Sequence, residues 1–139
     1  MAIWQVCCNI VPKRENITHL TNDQIISWKD ISNSLTEIDF LRSEKSWSKD
    51  IIQYGKIDET CIEFIYDEVL EEISCRFDLR NLTKIELDSI IEYVQTNNAL
   101  FFAEDHLFTP ERNELVQFFK QSEAFKFCTN PSEFIKSLA

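Results

Sequence analysis

The chain has 139 residues, is 44% hydrophobic and carries a formal net charge of −10. Its length suits a single domain with one core, and its acidity is the reverse of the basic footprint that a nucleic-acid binder needs to displace counterions from phosphates. No window approaches the ~18 uninterrupted apolar residues that would cross a bilayer, and the start Met-Ala-Ile-Trp-Gln-Val-Cys-Cys lacks the pattern of a signal peptide. The expected location is the cytoplasm.

The charge is local. Asp58–Asp78 holds eight acidic residues against one basic, whereas residues 1–57 balance at seven against seven and 111–139 at four against four. Five cysteines, with no Cys-x-x-Cys pair, read in a reducing cytoplasm as small buried hydrophobes, with no structural metal and no cofactor. The single glycine, Gly55, rules out a glycine-rich phosphate loop.

In chain order, the β-branched and apolar run Ile3–Val11 predicts a strand stopped by Pro12. Thr21-Asn-Asp-Gln24 has capping-box spacing and predicts a helix over about 22–31. Residues 34–46 fit a helical stripe and a loop equally, and Trp47–Tyr54 reads as a strand ending at Gly55. The clearest unit is a hairpin of Thr60–Tyr66 and Glu71–Leu79. Ile62, Phe64 and Tyr66 alternate with Cys61 and Glu63, and Ile73, Cys75, Phe77 and Leu79 with Ser74, Arg76, Asp78 and Arg80. Setting Tyr66 opposite Glu71, Phe64 opposite Ile73 and Ile62 opposite Cys75 brings both apolar sets to one face.

Thr83-Lys-Ile-Glu86 then opens a helix whose Leu87, Ile90, Ile91 and Val94 form an apolar stripe ending near Asn97-Asn98. Ala99–Ala103 reads as a strand, Thr109-Pro110 starts a helix burying Leu115, Phe118 and Phe119, and Asn130-Pro-Ser-Glu133 caps a last short helix. The predicted fold class is α+β, a two-layer sandwich of a mostly antiparallel sheet with helices packed on one face.

Two groups of residues carry candidate chemistry. Arg76, Asp78 and Arg80 alternate along the second hairpin strand, which sets one aspartate between two guanidinium groups. They read either as an ion-paired stripe on the solvent face or as a recognition surface. Glu59, Glu63, Asp67, Glu68, Glu71 and Glu72 spread an acidic carpet over the same hairpin. A one-sign patch repels itself, and a protein partner with a basic surface would relieve that cost. The other group is Glu104-Asp105-His106, where acids adjoin an imidazole but lack the spacing of a helical ligand pair.

Trp4 with Val11-Pro12, Ser46-Trp47-Ser48 followed by Gly55, the Arg76-Phe-Asp-Leu-Arg80 strand, and Ser122-Glu-Ala124 leading to Phe127 and Asn130-Pro131 run over most of the chain. Through them the sequence resembles a family of uncharacterised bacterial proteins that look like immunity proteins of polymorphic toxin systems. The resemblance implies a small, cytoplasmic, non-catalytic protein that neutralises a cognate toxin by tight binding. The leading expectation is thus a non-enzymatic protein-binding domain whose interface is Glu63, Glu68, Glu71, Glu72, Arg76, Asp78 and Arg80. The alternatives are a structural or regulatory adaptor and a small enzyme acting at Glu104, Asp105 and His106.

Overall fold

Seven strands form one sheet in the order β2-β3-β4-β5-β1-β6-β7, and every pairing is antiparallel among the described residues, 1–31 and 34–138 of the computed structural model. The strands are β1 (Gln5–Pro12), β2 (Ser43–Glu44), β3 (Ile51–Tyr54), β4 (Cys61–Asp67), β5 (Val69–Asp78), β6 (Ala99–Ala103) and β7 (His106–Phe108). The helices are α1 (Asn22–Ile26), α2 (Lys84–Thr96), α3 (Arg112–Lys120), α4 (Glu123–Thr129) and α5 (Pro131–Ser137).

Alternation along the strands decides the layers. Val6, Cys8 and Ile10 of β1, Ile62 and Phe64 of β4, Ile73, Cys75 and Phe77 of β5, and Phe101 of β6 form one apolar face. Against it pack Leu87, Ile90, Ile91 and Val94 of α2, Leu115 and Phe119 of α3, and Ala124 of α4. This is the α+β sandwich. Thr83 caps α2, accepting from the Glu86 backbone N–H at 3.1 Å. The opposite face carries a smaller apolar cluster, in which Ile25 of α1 meets Val11 and Phe102.

Several elements differ from expectation, each for a physical reason. The strand read as stopped by Pro12 includes it, because the residue lies at the end of β1 opposite Ala99, where the missing N–H is tolerated. Helix α1 ends at Ile26 rather than near residue 31. The chain beyond it is drawn to the sheet: Trp28 donates its backbone N–H to the Glu71 carbonyl at 2.9 Å and its indole N–H to the Ile10 carbonyl at 2.8 Å. The strand expected over 47–54 is confined to Ile51–Tyr54, with Trp47 exposed. Strand β7 and helix α4 have no signature in the sequence pattern; they are 3 and 7 residues long and pack, respectively, beside β6 and between α3 and α5.

The hairpin keeps the expected pairs Phe64↔Ile73 and Ile62↔Cys75, but Tyr66 faces Leu70 and not Glu71. A bulge beside Ile65 and Tyr66 produces the shift. Without it Glu71 would point at the apolar face; with it Leu70 takes that place and packs against the core. Glu68 makes the turn with φ 67°. Gly55 is fixed for a steric reason: at φ +82° an added Cβ would lie 2.2 Å from the Thr60 carbonyl.

Phe77 is fully buried, 4.9 Å from the Phe119 ring and 6.2 Å from that of Phe101. Phe77→Ala should therefore cost about 3–5 kcal/mol through lost burial and a cavity. Urea denaturation reads this directly, and a loss under ~1 kcal/mol would contradict the central place given to this ring.

Candidate functional site

The second face of the sheet is polar yet largely buried. Glu63 of β4, 3% exposed, pairs with Arg76 of β5 at 3.4 Å between Oε1 and Nη2. The Arg76 Nε is buried without a hydrogen-bond partner among the described residues, so the pair is incompletely satisfied. Beside it Asn9 donates to Glu72 Oε1 at 2.7 Å. The Gln5 side chain donates to the Ile57 and Glu59 carbonyls, at 2.9 and 2.7 Å, and so draws the loop after β3 over this end of the sheet.

Asp78 is the most engaged acid. It is 1% exposed and accepts the Arg80 backbone N–H at 2.9 Å and the Arg80 guanidinium at 3.0 Å through each carboxylate oxygen. Arg80 stacks over the Trp4 ring, with Cζ 3.8 Å from the centroid, and Trp4 donates to the Asp58 carbonyl at 2.7 Å. Burial opposes ionisation of Asp78, but the hydrogen bonds from Arg80 and its positive charge outweigh it. The carboxyl is held below its ordinary value.

This overturns the expected arrangement of one aspartate between two arginines. Strand β5 ends at Asp78, so Arg80 lies beyond the ladder and folds back on Asp78, while Arg76 turns to Glu63. The acidic carpet is also divided: Glu63 and Asp78 are internal, Glu71 and Glu72 are half-buried, and Glu59, Asp67 and Glu68 are exposed. What the hairpin offers to solvent is its tip.

Apolar side chains stand beside that tip. Tyr66 is 36% exposed and Ile52, on the same face of the neighbouring strand β3, 46%; Val69, 47% exposed, lies opposite Asp67 and alternates to the other face. Tyr54 packs edge-on against Phe64, ring centroids 5.9 Å apart, and backs the patch. Aromatic and aliphatic groups rimmed by charge are the usual make-up of a protein contact surface. The sequence reading passed over Ile52 and Tyr54. Their signal lies in the β3–β4 register, Ile52↔Phe64 and Tyr54↔Ile62, which no pattern within one strand reveals.

Glu104 and Asp105 form the two-residue turn between β6 and β7, with φ 50° and 65° and Ala103 paired to His106. Positive φ at both central positions matches the twist of a tight hairpin. Glu104, Asp105 and His106 are exposed, and Asp105 accepts a hydrogen bond from Asn22 that ties the turn to α1. No group of three or more His, Cys, Asp or Glu side chains able to hold a metal ion is found among the described residues.

Four of the five thiols are held above their ordinary values by burial. Burial pushes Cys61 up to about 12 despite the Arg76 charge beside it, pushes Cys75 well above its ordinary value, and raises Cys7 and Cys128. No helix among the described residues is long and apolar enough to cross a membrane. Comparison with protein-family models gives no match, and neither curated proteins nor solved structures give a significant one.

Two outcomes test this wiring. A carboxyl with a lowered folded pKa binds fewer protons folded than unfolded, so its stabilisation is complete above pH ~4 and is lost as pH falls through the folded value. Asp78→Asn should cost about 1–3 kcal/mol at pH 7, with the gap to the parent protein closing in acid. A gap independent of pH would refute the charged role of Asp78. In thiol titration with an aromatic disulfide, half-exposed Cys7 and Cys128 should react in the native protein, and Cys8, Cys61 and Cys75 only after denaturation. Rapid native labelling of Cys61 would contradict its burial and raised pKa.

Proposed function

We propose that the protein is a non-catalytic binding module that engages a basic protein partner through the tip of the β4–β5 hairpin. The observation that carries this reading is exposed Asp67 and Glu68 at the tip of a hairpin anchored in the core, beside exposed Tyr66 and, on the same face of the neighbouring strand, exposed Ile52. Neither acid is ion-paired among the described residues. Self-repulsion among the hairpin acids is a standing cost that a basic surface would relieve. The apolar side chains would supply the desolvated anchor that charges alone do not.

The resemblance to immunity proteins of polymorphic toxin systems supports a toxin as the partner and the cytoplasm as the place of encounter. Arg76, Asp78, Arg80 and Glu63 serve this reading indirectly. They hold β4, β5 and the following turn in place, and the contact falls to Asp67, Glu68, Glu71 and their apolar neighbours, while Glu72 is engaged by Asn9.

Charge location can be separated from total charge. With the partner recovered by affinity capture, Asp67, Glu68 and Glu71 reversed to Lys should slow association by about tenfold at low salt, and the difference should shrink as salt shortens the ~8 Å screening length. Reversal of Glu111, Glu114 and Glu123, which changes net charge equally, should slow it much less. Equal slowing by both triplets would reduce the hairpin acids to a solubilising role.

A further inference from the structure

The apolar patch at the hairpin tip continues into a groove along residues 35–40. This segment runs as a rail between the sheet edge and α2. Tyr93 Oη donates to the Thr36 carbonyl at 2.9 Å, and the Asn97 side chain accepts the Thr36 N–H and donates to Thr36 Oγ1, both at 2.9 Å. Three hydrogen bonds fix the rail, and burial pushes the Tyr93 hydroxyl up to about 12, which keeps the donor protonated even in alkaline solution. On its sheet side lies a cavity of about 170 Å³ walled by Ile52, Tyr54, Phe64 and Tyr66. On its helix side lies one of about 320 Å³ bordered by Glu37, Asp39 and Glu92, with no basic residue in its lining.

The two halves share Thr36, Glu37 and Tyr93, so they form one surface with an apolar end and an acidic end. All three acids are exposed, and none is ion-paired among the described residues. The groove is formed by anchored backbone and core aromatics, so an occupant would meet a shape already present. A second copy of this chain is a poor occupant. Each copy carries −10, and both the hairpin tip and the groove would bring acid against acid. Nucleic acid is opposed by the same charge.

We propose that this groove receives a basic segment of the protein partner, seating an apolar side chain against Ile52 and Tyr66 and lysine or arginine side chains along Glu37, Asp39 and Glu92. The proposal rests on the hairpin-tip reading and extends that contact beyond the tip. It makes the interface bipartite: the tip steers a basic surface, and the groove holds one segment of it. Two rims that differ in chemistry also fix the direction in which the segment lies.

The test uses the whole protein as bait for a displayed library of random peptides, with binding of enriched peptides measured by fluorescence anisotropy. Enriched sequences should combine an aromatic or aliphatic residue with clustered Lys or Arg. Their affinity should fall roughly tenfold or more with Glu37→Lys plus Glu92→Lys and, separately, with Ile52→Asp. It should change less than about twofold with Glu68→Lys plus Glu71→Lys at the tip. All the substituted side chains are at least partly exposed, and melting curves confirm that each variant folds. Tyr66→Ser replaces Ile52→Asp if that variant does not.

Failure to enrich basic-apolar sequences overturns the groove, as does binding indifferent to Glu37 and Glu92. Sedimentation showing a dimer that Ile52→Asp dissociates would assign the groove to a second copy and also overturn it. The hairpin-tip reading fails separately, when tip reversal leaves association with the captured partner unchanged.

Discussion

The bulge at Glu71 is the constraint on which the rest of the structure turns. It lets Leu70 replace an acid on the apolar face, and it frees the Glu71 carbonyl to accept the Trp28 N–H. Strand β1 stops pairing with β5 at Ile10 and continues only beside β6, so the two strands fork there. Trp28 fills the fork, its indole satisfying the carbonyl of fully buried Ile10. An unpaired buried carbonyl would cost about 1–3 kcal/mol, which explains why helix α1 is given up after Ile26. From this point the chain passes to the helical layer, where Leu35, Ile38, Phe40 and Leu41 pack against the core.

The polar face shows how a small acidic protein disposes of charge it cannot leave at its surface. Buried ion pairs add little net stability, but breaking one leaves an uncompensated charge inside. Here the pairs do geometrical service. Arg76–Glu63 ties β5 to β4, and Asp78–Arg80–Trp4 joins the end of β5 to the chain before β1 and to the loop at Asp58. Those acids are consumed by the fold. Among the acids left exposed are Asp67 and Glu68 at the hairpin tip and Glu37, Asp39 and Glu92 along the rail.

Much of this was legible from residues in order. The period-two alternation of β4 and β5, the apolar stripe of α2 and the cap at Thr83 are local patterns with a local cause, and they predicted the sandwich and the burial of Phe64, Phe77, Ile90 and Val94. The acidic excess over Asp58–Asp78 was equally plain, since charge is a sum over residue types. The same pattern gave the wrong tip register, because a one-residue bulge is chosen by which side chain the core accepts and not by the strand itself.

The sequence by itself determined the secondary structure of the longer elements, the composition of the core and the sign of the surface, because each follows from near neighbours along the chain. Only the tertiary structure decided which acids are structural and which are free. Glu63 and Glu68 are alike in the sequence; one is buried against Arg76 and the other stands at φ 67° in a turn. The groove beside Thr36 is tertiary in the same sense, since Tyr66, Glu37 and Glu92 come from three separate stretches that only the packing of α2 against the sheet brings together.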